Sequence, residues 1–556
     1  MPKHRAPPDT PDTPGPIAPP VAALALLAAW ALLLFAAPTR SNAFWALDGF
    51  RSVSPEARFG LVLVSIGVAL IPLFRLRSGL AAWVLGVAAA VLIAFPLRER
   101  IHFLGDSQLR LRSIAAFGAG LFGAGAEWSR KLHANPLDIA LNFFATVGLS
   151  RLGLTVLQSV SVLSLALALA WFAGLWRLCA RLGAPAPLRL SLCAALALTG
   201  ALEAFAGYAE SAALLLVAAA WWWVALLAPI GDRARAVRAA LAWLVLALVH
   251  RIALVMLVPQ LWRALGPALP GDHPQARRLM LALSLGAAAL AVGILLAGSG
   301  ARLLADDWHN LIGSAPGRSL PHLMSAADTA NTLLLLAPLA LLAGALAGAG
   351  ALRGWVRRPQ SLLLMAAAIP LLVIGPMLPV GTSGFGAHRD WDLNLLLGFT
   401  LTLAAGALLA QLPAPRLRGA LTVTLPVLAL AALGWVAVNA DEGASIRRVL
   451  ALAADPAALA EPQRGTLHEF LGQRAMNLGQ AQAAGAYYDR AFEIGGNRRR
   501  LLLAAESWVA AGDTSAARRS LARARAGTLL SPELEGAAAR IEALIAPASD
   551  SAAGPP

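Results

Sequence analysis

The sequence predicts an all-α, polytopic membrane helical bundle of about 12–13 passes, followed by a small carboxyl-terminal α-helical repeat domain. Three observations predict it. The chain is 58% hydrophobic and only 13% charged. Its apolar runs recur at roughly 18–25 residues, each long enough to cross ~30 Å of hydrocarbon. Beyond residue 440 the long apolar runs give way to amphipathic helical sequence.

Residues 1–20 are Pro-rich and read as a disordered tail. The run Val21 to Ala37 has the length of a signal-peptide core. No small-residue cleavage site precedes Arg40, so it reads as a retained first membrane helix. The remaining apolar segments fall near 59–74, 80–97, 152–176, 187–203, 206–230, 237–262, 279–298, 331–350, 361–380, 393–412 and 419–438. Residues 21–440 therefore form the membrane domain, with one large polar loop at 98–151. The net charge is +15, from 45 Lys and Arg against 30 Asp and Glu. These cations are scattered in short loops without interleaved aromatics, which is not the pattern of a nucleic-acid interface. Their placement instead reports topology, because cytoplasmic loops collect Arg and Lys. Cys179 and Cys193 have neither metal-ligand spacing nor the pattern of a disulfide framework. The run Trp221 to Trp223 reads as an interfacial aromatic belt.

Charge also bears on how segment 237–262 runs. The basic loops at the amino terminus (Lys3, Arg5), 75–77, 177–189 and 231–238 fit one side under strict alternation. Loops 263–278, 351–358 and 416–418 are equally basic. They join that side only if 237–262 enters and returns. Its centre holds His250 and Arg251, and a charged Arg at mid-bilayer costs at least ~2.5–3.5 kcal/mol. One helix with a buried, paired Arg is the alternative; two half-segments meeting at His250–Arg251 form a short hairpin and remove that cost. The amino terminus is then cytoplasmic and the carboxyl-terminal region periplasmic. On the outer face lie 98–151, the Glu203–Glu210 turn, the His250–Arg251 tip, 299–330 and 381–392.

Loop 98–151 places Asp106 soon after a membrane segment, then Arg110 and Arg112. An Asn135-Pro136 helix start, an amphipathic stretch from Leu137 to Leu149, "GLSRLGL" and a helix opening at Gln158-Ser159 follow. In pattern, residues 95–180 resemble the GT-C class of membrane glycosyltransferases, which includes protein O-mannosyltransferases and lipid A aminoarabinose transferases. The resemblance implies transfer of a sugar from a polyprenyl-phosphate carrier to a lipid, glycan or protein acceptor on the outer face of a bacterial inner membrane. It maps the class's loop acid onto Asp106, as a general base or acceptor-orienting carboxylate. The chain departs from the class in placing this loop after the third helix and in having one acid there; a second acid is then expected from Asp390 or Asp392.

Chemistry narrows the other candidates. A phosphate leaving group needs cations, and Arg supplies them bidentately. Arg110, Arg112, Arg251 and Arg389 are the candidates, with His250 and His388 beside two of them. Asp390 and Asp392 flank Trp391 at a helix start, where acids favour the dipole. Arg389 is expected on phosphate, an Asp on a sugar or metal, and Trp391 stacking or anchoring. Glu203 and Glu210 bracket a turn near the membrane, and intramembrane acids are functional by default; His102 reads as interfacial packing. Asp306, Asp307 and His309 have side chains that can bind a divalent cation, but their spacing is not specific and a solvated loop is the plainer reading. The metal itself stays unassigned, and no other cofactor is implied.

Residues 441–463 read as a linker. In 464–545, Leu471, Gly472, Gly479, Ala484, Tyr488 and Ala491 have tetratricopeptide spacing, and Gly512, Ala517, Leu521 and Ala524 repeat it. Such helices would recruit a protein partner. Residues 546–556 read as a disordered tail. Two other readings stay open: a surface-polysaccharide polymerase or ligase, and a non-enzymatic membrane scaffold acting through the repeats.

Overall fold

The computed structural model describes residues 45–46, 52–73, 79–104, 107, 110–111, 114, 135–297, 326–376, 390–456, 459, 461–526 and 529–546. The segment 21–38 and the tails 1–20 and 547–556 lie outside them. The described residues form an all-α, polytopic bundle. Among the described residues, five helical stretches are long and apolar enough to cross a membrane: Val156–Arg181, Pro274–Leu296, Pro338–Val356, Trp391–Leu409 and Ala414–Ala440. Four shorter apolar helices accompany them. Phe59, Leu80, Leu290 and Ile369 point outward, as on a lipid-facing surface.

The first described helix is α1 (Pro55–Ala69), started by Ser54 accepting from the Ala57 N–H with Pro55 at the first helical position. Next come α2 (Gly79–Ala94) and, after the helical entrance Pro136–Phe143, α3 (Phe144–Arg151). The helix α4 (Val156–Arg181) starts at a capping box of Thr155 and Gln158. A short α5 (Arg189–Ala197) then ends and becomes a 3₁₀ turn, Gly200–Phe205. The segment expected as one helix over 187–203 is therefore broken, and Glu203 sits in the turn, fully buried. The helix α6 (Ala212–Leu226) runs parallel to α4, with Trp221 Nε1 donating to the Ala170 carbonyl. Of the expected aromatic belt only Trp221 is exposed: Trp222 and Trp223 are core, and Trp222 donates to the buried Gln260 at 2.9 Å.

The helix α7 (Arg233–Val249) stops at His250, whose backbone is extended. A 3₁₀ turn, Arg251–Met256, leads into α8 (Leu257–Leu265). The chain has reversed. Arg263 on α8 donates to the carbonyls of Leu226 and Ala228, beside the start of α7. Ala264 shares a core with Ala236 and Ala239. Arg263 also pairs with buried Asp272, and His273 N–H bonds the Ile230 carbonyl. Among the described residues the remaining membrane helices are α9 (Pro274–Leu296), α10 (Ala326–Leu336), α11 (Pro338–Val356), α12 (Pro359–Ile374), α13 (Leu395–Leu409) and α14 (Ala414–Ala440). α11 bends at Gly348, whose φ is +74°.

This path gives the bundle two chemically different ends. One collects the connections after α4, α6, α8, α11 and α13, with Arg181, Arg233, Arg277, Arg357 and Arg416 among their cations. The starts of α4, α6 and α13 and the ends of α2, α7 and α14 gather at the other. Six helices follow there: α15 (Glu442–Ala454), α16 (Glu461–Asn477), α17 (Ala481–Gly495), α18 (Arg498–Ala510), α19 (Thr514–Arg525) and α20 (Pro532–Ile545). Small residues let them approach closely: a Cβ on Gly472 would lie 3.0 Å from the Tyr488 ring, and one on Gly485 2.5 Å from Trp508. They are not detached from the bundle, because Leu467, Phe470 and Leu471 belong to the same core as the membrane helices.

Candidate functional site

The polar groups of the membrane bundle concentrate at the end away from the basic connections. The first group is built where the large loop re-enters. Pro136 occupies a helix start, where its missing N–H costs nothing. A π turn, Ile139–Phe143, precedes α3. Asp138 is fully buried and takes both arms of Arg110, Nη1 to Oδ1 at 3.0 Å and Nη2 to Oδ2 at 2.7 Å. Asn142, one turn later on the same face, donates to Asp138 at 2.6 Å and to the Glu210 carbonyl at 3.1 Å. One carboxylate thus joins the loop, the helix entrance and the 203–210 turn. Arg110, expected on a phosphate, has its bidentate fork on Asp138.

The hairpin tip reaches the same place. The Arg251 N–H meets Asn135 Oδ1 at 3.4 Å. His250 Nδ1 accepts from the Ile252 N–H at 3.2 Å, which leaves Nε2 to carry the ring proton. The Arg110 and Asp138 charges both act on the His250 ring.

A second group forms where α13 begins. Tyr208 donates its hydroxyl to Asp392 Oδ2 at 3.0 Å. Trp391 is fully buried between Tyr208 and Trp435, with ring centroids 5.9 and 6.3 Å away. It anchors the start of α13 from inside and presents no face to solvent. Asp390 is half-buried beside it. A small cavity lies between the two groups, with Asn142, Thr146, Ser164, Tyr208 and Glu210 on its polar wall and Val160, Leu163 and Leu167 on its apolar one.

A third group lies deeper. Both Glu203 carboxylate oxygens are buried, and among the described residues none makes a close hydrogen bond to them, the Asn439 amide being the donor that acts on the group. Glu99, Asn439 and the Arg448 guanidinium surround it. Glu99 is itself 1% exposed and lies 3.6 Å from His102 Nδ1. Arg448, on α15, donates to the Trp45 carbonyl at 3.0 Å and lies over the Trp435 ring at 4.2 Å. Among the described residues no set of three His, Cys, Asp or Glu side chains is placed to hold a metal.

No protein family, curated protein or solved structure matches this chain. Its site must therefore be read from its own geometry.

Of the expected site residues, the structure brings Arg110, Glu210, His250, Arg251, Trp391 and Asp392 to one end, with Asp390 adjacent. Asp106, Arg112, His388 and Arg389 lie outside the described residues, as do Asp306, Asp307 and His309. Sequence reasoning missed Glu99, Asp138, Asn142, Asn439 and Arg448. Asp138 and Asn142 had a readable signal, since they are polar residues four apart on an otherwise apolar helix. Glu99 was masked by its basic neighbours Arg98 and Arg100. Nothing in the sequence marks Asn439 or Arg448.

Proposed function

We propose that this chain is a GT-C-like membrane glycosyltransferase, moving a sugar from a polyprenyl-phosphate carrier to a lipid, glycan or protein acceptor. One observation carries the reading. The large loop's helix entrance, the 203–210 turn, the hairpin tip and the start of α13 meet at a single end, opposite the basic connections. By the positive-inside rule the basic end is cytoplasmic. The polar end and the carboxyl-terminal helices then face outward from a bacterial inner membrane, where lipid-linked sugar donors are consumed.

In this reading the acceptor hydroxyl loses its proton to a carboxylate, with Asp106 as the base and Asp390 or Asp392 as the second acid. The acceptor oxygen bonds to the anomeric carbon as the bond from that carbon to the phosphate oxygen breaks. Arg112, Arg251 and Arg389 take up the charge left on the phosphate. The Asp138 lattice keeps Arg110 out of this role and holds the loop's re-entry in place. The tetratricopeptide-like spacing of the tail supports recruitment of an acceptor or partner protein.

Native mass spectrometry of the gently purified protein tests the reading. Wild type and Asp106→Asn are expected to retain a polyprenyl-phosphate species, and Arg389→Ala to lose it. Absence of any carrier in all three, with partner proteins held through residues 461–546, would replace the transferase by a scaffold.

A further inference from the structure

We infer that Phe470, in the carboxyl-terminal helices, is a positioning residue for the Glu99–Leu104 turn and so for the Glu99 carboxylate at the polar end. The inference deepens the transferase reading, but its geometry stands without it. The turn leaves α2 and is tied to the bundle by two backbone bonds. The Glu99 N–H donates to the Ala206 carbonyl at 2.6 Å, and the Arg100 N–H to the Asn439 carbonyl at 2.9 Å. After Arg100 the support changes. Ile101, Phe103 and Leu104 are buried in the same core as Leu467, Phe470 and Leu471. The Phe103 ring meets the Phe470 ring edge-on, at 5.1 Å and 67°.

The turn is closed against resistance. His102 has φ +52°, among the described residues the one positive value outside glycine. A non-glycine residue holds that conformation only where its surroundings over-determine it. On one side of His102 the constraints are the two backbone bonds. On the other they are the Leu104 N–H donating to Glu99 Oε1 at 3.3 Å and the packing of Phe103 on Phe470. Removing the Phe470 ring takes away an aromatic partner of Phe103 that comes from the carboxyl-terminal helices. Glu99 lies among the groups that act on Tyr208 and Glu203. The tail helices are therefore a wall of the polar end, beyond any role as a tether.

The test is chemical modification of Glu99 in the full-length protein, using a water-soluble carbodiimide with glycine ethyl ester and mass-spectrometric mapping. Glu99 in wild type is 1% exposed and is expected to be nearly unreactive. Phe470→Ala is expected to raise its labelling about tenfold by local opening, and Phe470→Leu to restore most of the protection. Hydrogen exchange over 481–510 reports whether the tail stays folded. If Phe470→Ala unfolds the tail, Phe103→Ala, on the bundle side of the same contact, must raise Glu99 labelling while 481–510 stays protected. Unchanged Glu99 labelling in both variants overturns the inference. Neither readout involves a carrier lipid, so loss of the transferase reading would leave this result standing.

Discussion

At the scale of single residues, the most consequential group is Asp138, which joins a cation 28 positions away to an amide on its own helix. Removing one partner of a buried ion pair leaves an uncompensated charge, at about 3–5 kcal/mol, whereas replacing both by apolar groups of similar size is often near neutral. Asp138→Ala is therefore expected to lower the thermal midpoint in detergent markedly, and Asp138→Leu combined with Arg110→Met to recover much of it. Equal losses in the single and double variants would show that Asp138 acts through something other than Arg110. Asp272 makes a second prediction. Burial pushes its carboxyl up, but the Arg263 fork and the N–H groups of Ile230 and Leu269 outweigh this and hold it below the usual carboxylate range. A carboxyl lowered by folding adds stability above its unfolded value of about 3.9, and that stability is lost as pH falls through the folded value. Wild type is expected to lose stability from about pH 5 downward, and Asp272→Asn to be less stable at neutral pH with a shallower acid slope, followed by tryptophan fluorescence. Neither pair was legible in the sequence. Both join residues whose proximity is made by the tertiary path, and each acid alone resembles a helix cap or a solvated loop residue.

At the scale of elements, the sequence reveals where helices lie better than where they break. The span 414–440 runs unbroken around the expected 419–438, and Pro426 inside it is tolerated as in other membrane helices. The expected 187–203 helix fails because apolar content does not distinguish an α-helix from a buried 3₁₀ turn. The turn also brings the chain close to α10, which composition cannot show: a Cβ on Gly200 would lie 2.3 Å from Leu335 Cδ1, so only glycine fits there. The reversal at His250–Arg251 was legible, because charge is additive along a chain and one misassigned crossing inverts every later loop. Close helix approach yields the element-scale prediction. A Cβ on Gly398 would lie 2.3 Å from Leu336 Cβ and 3.1 Å from its carbonyl oxygen, while Thr402 holds that carbonyl at 3.2 Å. α13 cannot retreat without breaking that bond, so Gly398→Ala is expected to cost about 1–3 kcal/mol, the range of core overpacking. Gly148 on α3 meets nothing within 4 Å, and Gly148→Ala is expected to be neutral or to stabilise by up to about 1 kcal/mol. Paired unfolding curves in one detergent compare them; a harmless Gly398→Ala would mean that α10 and α13 are not locked at this crossing.

At the scale of the whole molecule, the two-ended distribution of charge is what turns separate polar clusters into one candidate site. The sequence carried this through its loop charges, and the structure adds that the carboxyl-terminal helices are built onto the polar end through shared core and the Arg448–Trp435 stack. That docking was not legible, because an amphipathic helix shows that one face is buried without showing against what. The arrangement makes a prediction about sides. A cysteine replacing exposed Arg357 belongs to the basic end, and one replacing exposed Glu506 to the tail. The native Cys179 and Cys193 are both buried and give little background. In spheroplasts an impermeant maleimide is expected to label Glu506→Cys and to spare Arg357→Cys until the membrane is broken. The reverse pattern would place the polar end in the cytoplasm, out of reach of donors presented on the outer leaflet, and would remove the transferase reading while leaving the fold intact. Labelling of both from outside would strike deeper: it would mean that one of α12, α13 and α14, between residues 357 and 506, does not cross; were it α12, the acids at the start of α13 would not share a side with the hairpin tip.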